Sequence, residues 1–128
     1  MFFGNKSKAV NIEYNFQKEV PLEKRQEESR KILTNYPERI PIIVERFPNC
    51  ESVPELQKKK FLCPSQITFG QFTETVRRKL QLDPSQALFF FVPDLISNEV
   101  VISDLYEKKK NQEDGFLYIT YSGENVFG

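Results

Sequence analysis

The side chains able to do chemistry are few, and their spacing does not favour catalysis. The 128-residue chain has no histidine. That removes the usual general base and most catalytic zinc sites. Its two cysteines, Cys50 and Cys63, show neither CxxC nor metal-ligand spacing. They suit a reducing compartment, with Cys63 as a small apolar strand residue. Basic residues cluster at Lys58 to Lys60, Arg77 to Lys79 and Lys108 to Lys110. Lys and Arg together number 18, as do Asp and Glu, so the formal net charge is zero. That balance argues against a dedicated nucleic-acid binder. Each cluster reads as a solvated face, and no cofactor is expected.

The remaining chemistry is that of an exposed main chain. Lys58-Lys59-Lys60-Phe61-Leu62-Cys63-Pro64 reads as a short β-strand that begins as charge and ends as apolar surface. Side chains alternate across a strand, so Lys58, Lys60 and Leu62 share one face, and Lys59, Phe61 and Cys63 the other. Lysines blunt a sheet edge against unwanted pairing. Apolar residues beside them let the same edge accept a chosen partner strand. A basic turn leading into an ordinary core strand is the plainer reading.

The elements that would position this edge follow from pattern. Met1 to Asn11 reads as a flexible leader, and residues 12–128 as a single domain. Ile12 to Glu19 suits a short helical turn. Leu22 to Tyr36 is a largely charged helix, opened by Pro21 and closed before Pro37. Its apolar residues are few: Leu22, Ile32, Leu33 and Tyr36. Arg39 to Arg46 is a strand in which Pro41 must turn its missing N–H to an edge or irregularity. A loop from Phe47 to Gln57 then leads to the lysine-bearing strand, which would pair antiparallel to complete a hairpin.

Thr68 to Leu80 is the clearest helix. Thr68 and Gln71 form a capping box, and Phe69, Phe72, Val76 and Leu80 lie on one face. Arg77, Arg78 and Lys79 complement the dipole at its C-terminal end. Ala87 to Val92 is apolar on both faces and reads as a central strand. Val100 to Ile102 suggests a short strand, and Ser103 a cap for a brief helix from Asp104 to Lys109. Asp114-Gly115 is a turn before a last strand, Phe116 to Tyr121. The order predicts an α+β fold, a ubiquitin-like β-grasp roll with additional N-terminal helices.

The chain also resembles a known family, the autophagy ubiquitin-like modifiers of the GABARAP and light-chain-three type. The resemblance runs from about Ile12 to Gly128. It rests on Pro21-Leu22-Glu23-Lys24-Arg25, on Tyr36-Pro37-Glu38-Arg39-Ile40-Pro41-Ile42-Ile43-Val44-Glu45, and on Lys60 to Pro64. Ala87 to Val92 and Asp114-Gly115-Phe116-Leu117-Tyr118-Ile119 through Phe127-Gly128 match as well. It implies conjugation of the Gly128 carboxyl to phosphatidylethanolamine, whose two acyl chains give a stable membrane anchor. Separate activating, conjugating and processing or deconjugating enzymes would do that chemistry, leaving this chain a substrate and not an enzyme. The expected location is the cytoplasm, and the autophagosomal membrane once lipidated.

The resemblance further implies binding of receptor and adaptor segments of the form aromatic-x-x-aliphatic, added as a strand beside Lys60 to Cys63. The aromatic pocket would be lined by Glu28, Ile32, Pro41, Ile43, Lys60, Leu62 and Phe116. The aliphatic pocket would use Phe61, Cys63, Pro64, Ile67, Phe72 and Thr75. Thr75 stands where an aliphatic residue is usual, and Cys63 where valine is common. The competing reading is a ubiquitin-like interaction module that is never conjugated, indifferent to Gly128.

Overall fold

The computed structural model describes residues 14–94 and 97–125. The expected leader and Gly128 lie outside them. Along the chain run α1 (Asn15–Glu19), α2 (Leu22–Asn35), β1 (Arg39–Arg46), β2 (Lys60–Pro64), α3 (Phe69–Leu80), β3 (Phe89–Phe91), α4 (Ile102–Lys109) and β4 (Leu117–Ser122). The strands form one sheet in the order β2-β1-β4-β3. β1 and β2 make the expected antiparallel hairpin. β1 lies parallel to β4, and β3 is antiparallel to β4.

Strand alternation divides the interior into two cores. Ile40, Ile42 and Val44 of β1 join Leu117, Ile119 and Tyr121 of β4 under α3 and α4. Phe69, Phe72, Val76 and Leu80 supply the α3 side, the stripe legible in the sequence. On the opposite sheet face, Ile43 and Phe116 pack against Phe16 and Ile32 of the N-terminal helices. The α3 capping box is present: Gln71 N–H donates to Thr68 Oγ1 at 3.1 Å and Thr68 N–H to Gln71 Oε1 at 2.9 Å.

Three expectations are corrected. The segment from Ala87 to Val92 is not central. Only Phe89–Phe91 pairs, at the sheet edge, and its residues are half-buried. An apolar run signals cover without saying what provides it. Here rings provide it, Phe69 against Phe90 and Phe47 against Phe91, each pair 6.0 Å apart. Val100 to Ile102 forms no strand beyond a bridge of Val101 to Thr68. Helix α4 begins at Ile102, without a Ser103 cap. Its first amides instead donate to Ile67 O at 2.8 Å and Ser65 O at 3.0 Å, which satisfies the groups a cap would serve.

Helix α2 keeps a broad exposed face. Of its apolar residues only Ile32 is buried, while Leu22, Leu33 and Tyr36 are exposed. Arg25 and Ser29 are buried instead. Arg25 Nε donates to Asp114 Oδ2 at 2.8 Å, and Arg25 Nη1 to Val20 O at 2.7 Å and Gln17 O at 3.1 Å. A charged helix is thus fastened by a buried ion pair as well as by Ile32. Glu45 of β1 holds α1, accepting from the Asn15 and Phe16 amides at 2.8 Å each.

Candidate functional site

The free side of β2 is one edge of the sheet, and hydrogen-bond alternation decides which groups it offers. Val44 N–H donates to Lys59 O, and Ser65 N–H to Glu38 O, both at 2.9 Å. Bonded pairs recur at every second position of an antiparallel ladder. Even positions of β1 therefore bond to odd positions of β2. The main-chain groups of Lys60 and Leu62 point the other way, toward the open edge. Arg39 Nη1 donates to Leu62 O at 3.3 Å, a contact no sequence pattern suggested. Pro41 sits opposite Leu62 at a non-bonded position, so its missing N–H removes no bond to β2.

Register assigns the side chains to two faces. Lys60 lies opposite Ile43 and Leu62 opposite Pro41, so these four share the face covered by α2. Phe61 lies opposite Ile42 and Cys63 opposite Ile40, on the face covered by α3. Of the residues expected in the aromatic pocket, Ile32, Ile43 and Phe116 belong to one cluster. Lys60 Nζ and Glu28 Oε1 form an ion pair of 2.7 Å across the gap between β2 and α2. Leu62 is 38% exposed at the rim.

On the other face the Phe61 and Phe72 rings meet edge-to-face at 5.4 Å. Cys63 and Phe72 are buried in the main core, and Ile67 packs against it. Pro64 is exposed in the strand. Thr75 is half-buried on α3, its hydroxyl donating to Gln71 O and accepting from Arg78, both at 3.3 Å. Burial pushes the Cys63 thiol up to about 12, with Arg39 opposing. Cys63 is therefore a neutral packing residue, as its place in the pattern suggested.

This arrangement can seat an added strand. Two anchors three residues apart on an extended segment fall on opposite faces. One would meet the Ile32, Ile43 and Leu62 side of β2, the other the Phe61 and Phe72 side. A cavity of about 250 Å³ lies elsewhere, between α3 and β3, with Phe69, Arg77, Leu88 and Phe90 in its lining. Among the described residues no group of Cys, Asp and Glu could hold a metal ion, and no helix is long and apolar enough to cross a membrane.

The loop before β2 meets the end of β4. Burial raises the Cys50 thiol, but hydrogen bonds from Ser122, Ser52 and the Gly123 amide outweigh it and lower the thiol to about 7. A depressed folded value means stability present above the unfolded thiol's range and lost as pH falls through about 7. Between pH 6 and pH 9 the native chain should gain thermal stability relative to Cys50→Ala. Parallel pH profiles in the two proteins would contradict this.

A family model described as "Autophagy protein Atg8 ubiquitin like" matches residues 24–128. Autophagy-related protein 8d of Arabidopsis thaliana is 47% identical over 115 residues, covering 89% of this chain and 94% of that protein. Autophagy-related protein 8 of Schizosaccharomyces pombe is 43% identical over 114 residues, with 88% and 93% covered. A crystal structure of Trypanosoma brucei ATG8 superposes with a TM-score of 0.81 at 37% identity, covering 91% of this chain and all of that one.

Proposed function

Because this chain belongs to the Atg8 family of ubiquitin-like autophagy proteins, we propose that it is conjugated through Gly128 to phosphatidylethanolamine and recruits receptors by strand addition at β2. Its β-grasp fold with N-terminal helices is that of the family. The observation that carries the binding half is the division of β2 between two faces. An aromatic-x-x-aliphatic segment has one anchor for each. Its aromatic side chain would seat among Glu28, Ile32, Pro41, Ile43, Lys60, Leu62 and Phe116. Its aliphatic side chain would seat among Phe61, Cys63, Pro64, Ile67, Phe72 and Thr75. Main-chain groups of Lys60 and Leu62 would bond to the incoming strand.

The conjugation half rests on family membership and on Gly128 lying at the end of the stretch that the family model matches. Gly128 has no side chain to obstruct a narrow enzyme channel. Activating and conjugating enzymes supply the chemistry, and this chain is their substrate. Two acyl chains then hold it on autophagosomal membranes, where receptors and adaptors meet it.

The test is attachment itself. The chain ending at Gly128, and Gly128→Ala, would be incubated with matching activating and conjugating enzymes, ATP and phosphatidylethanolamine vesicles. Intact mass should show a lipid-sized gain in the native chain and none in the variant. Failure of the native chain, with enzymes active on a control modifier, would leave an unconjugated binding module.

A further inference from the structure

β4 ends beside the loop that leads into β2, and the contacts there form a clasp. Phe47 N–H donates to Tyr121 O at 2.7 Å, and Tyr121 Oη donates to Pro54 O at 2.7 Å. Ser122 Oγ and Gly123 N–H both donate to Cys50 Sγ at 3.4 Å. Ser122 Oγ also accepts from Glu124 N–H at 2.9 Å, which turns the chain as it leaves the strand. The loop side is itself anchored: Val53 is buried, and its carbonyl accepts from Arg46 Nη1 at 2.8 Å.

Gly123 is the tightest point. A Cβ there would overlap Ser52 Oγ, stand 2.8 Å from Val53 Cγ1 and 3.2 Å from Ser52 Cβ. Its φ is not in the left-handed region, where only Gly115 among the described glycines falls. The requirement is therefore space for close backbone approach. A side chain at 123 must displace the Ser52 hydroxyl and the Val53 methyl, which crowds the loop against the departing chain.

We propose that Gly123 is a positioning residue for conjugation: the loop from Phe47 to Leu56 grips Tyr121 to Gly123 and sets the direction in which the C-terminal segment leaves the domain. This rests on the reading of Gly128 as the conjugated residue. A reacting carboxyl on a tethered segment samples fewer directions than one on a free chain, so less entropy is lost when it enters an enzyme. The clasp lies at the base of the segment, so its effect falls on presentation and not on the peptide-binding edge.

The experiment compares the native chain with Gly123→Ala, Gly123→Ala combined with Ser52→Gly, and Tyr121→Phe. Initial conjugation rates give kcat and KM, alongside thermal unfolding and calorimetric titration of an aromatic-x-x-aliphatic peptide. Gly123→Ala should lower kcat/KM about tenfold, within the range for misplaced reacting groups, while peptide affinity stays at the native value. Removing Ser52 Oγ should restore part of the rate. Tyr121→Phe keeps the core ring and frees the loop, so it should also slow conjugation if Gly123→Ala fails to fold. Native kcat/KM in a folded Gly123→Ala, or in Tyr121→Phe where Gly123→Ala does not fold, would overturn the proposal. So would equal losses of rate and peptide affinity, since general damage to the fold would explain both. Failure of the native chain to conjugate would instead remove the premise, a separately readable result.

Discussion

Asp114→Ala is expected to lower the free energy of unfolding by about 3–5 kcal/mol, the range for breaking a buried pair by removing one partner. Asp114 is 2% exposed and Arg25 7%. One carboxylate oxygen accepts from Arg25 Nε at 2.8 Å and from Tyr118 Oη at 2.5 Å, the other from Phe116 N–H at 2.9 Å. Burial, with the bond to Asp114 and its charge, pushes the Tyr118 hydroxyl above its usual range, so it remains a donor. Ser29 Oγ adds a bond to Asp114 O. The residue thus ties α2 to the entrance of β4. Alanine leaves the Arg25 charge in the interior with only the Gln17 and Val20 carbonyls for company.

Urea unfolding would measure the loss. The pair Arg25→Met with Asp114→Leu should be less costly than Asp114→Ala, because no charge is stranded. A loss below about 1 kcal/mol in Asp114→Ala would place the pair with exposed salt bridges and refute the argument. Since α2 carries Glu28 and Ile32, peptide affinity should fall with it.

Leu62→Pro is expected to abolish strand addition while leaving the domain folded. Leu62 is an even position of β2, so its N–H faces the open edge and takes no part in the β1 ladder. Edge strands tolerate proline on that side. The substitution removes an anchor side chain, worth about 1–3 kcal/mol in a typical interface, and a donor worth about 1 kcal/mol more. Peptide binding should weaken by about 2–4 kcal/mol on those grounds. Phe61→Pro is the informative control. Its N–H belongs to the ladder and its ring packs on Phe72, so that variant should lose stability instead. Native-like peptide affinity in a folded Leu62→Pro would sink the edge assignment.

Local rules made much of this legible in the sequence. The Thr68 and Gln71 box, the α3 stripe, the β1–β2 hairpin and the alternation of Lys60 and Leu62 against Phe61 and Cys63 each depend on residues close in the chain. What escaped depends on distant partners. Nothing in Ala87 to Val92 says that β4, not β3, takes the place beside β1. Arg25 and Asp114 are 89 positions apart and look like solvated charges until the fold joins them. Ser103 looked like a cap because the sequence does not reveal that the turn at Ser65 and Ile67 lies above α4. The two candidate pockets were implied by the resemblance alone, and register adds only which sheet face each β1 and β2 residue shares.

The parallel pairing of β1 with β4 also bears on how the protein is made. Ile42 finds Leu117 only after all of the intervening chain has been synthesised. Such distant pairings close slowly. Until then Ile43 lacks Phe116 and Arg25 lacks Asp114. A chain that still lacks β4 leaves one side of β1 unpaired, and unpaired strand edges are prone to aggregation. The strand that completes the sheet is also the one from which the C-terminal segment departs. Closure of the fold and emergence of the chain beyond β4 therefore depend on the same strand.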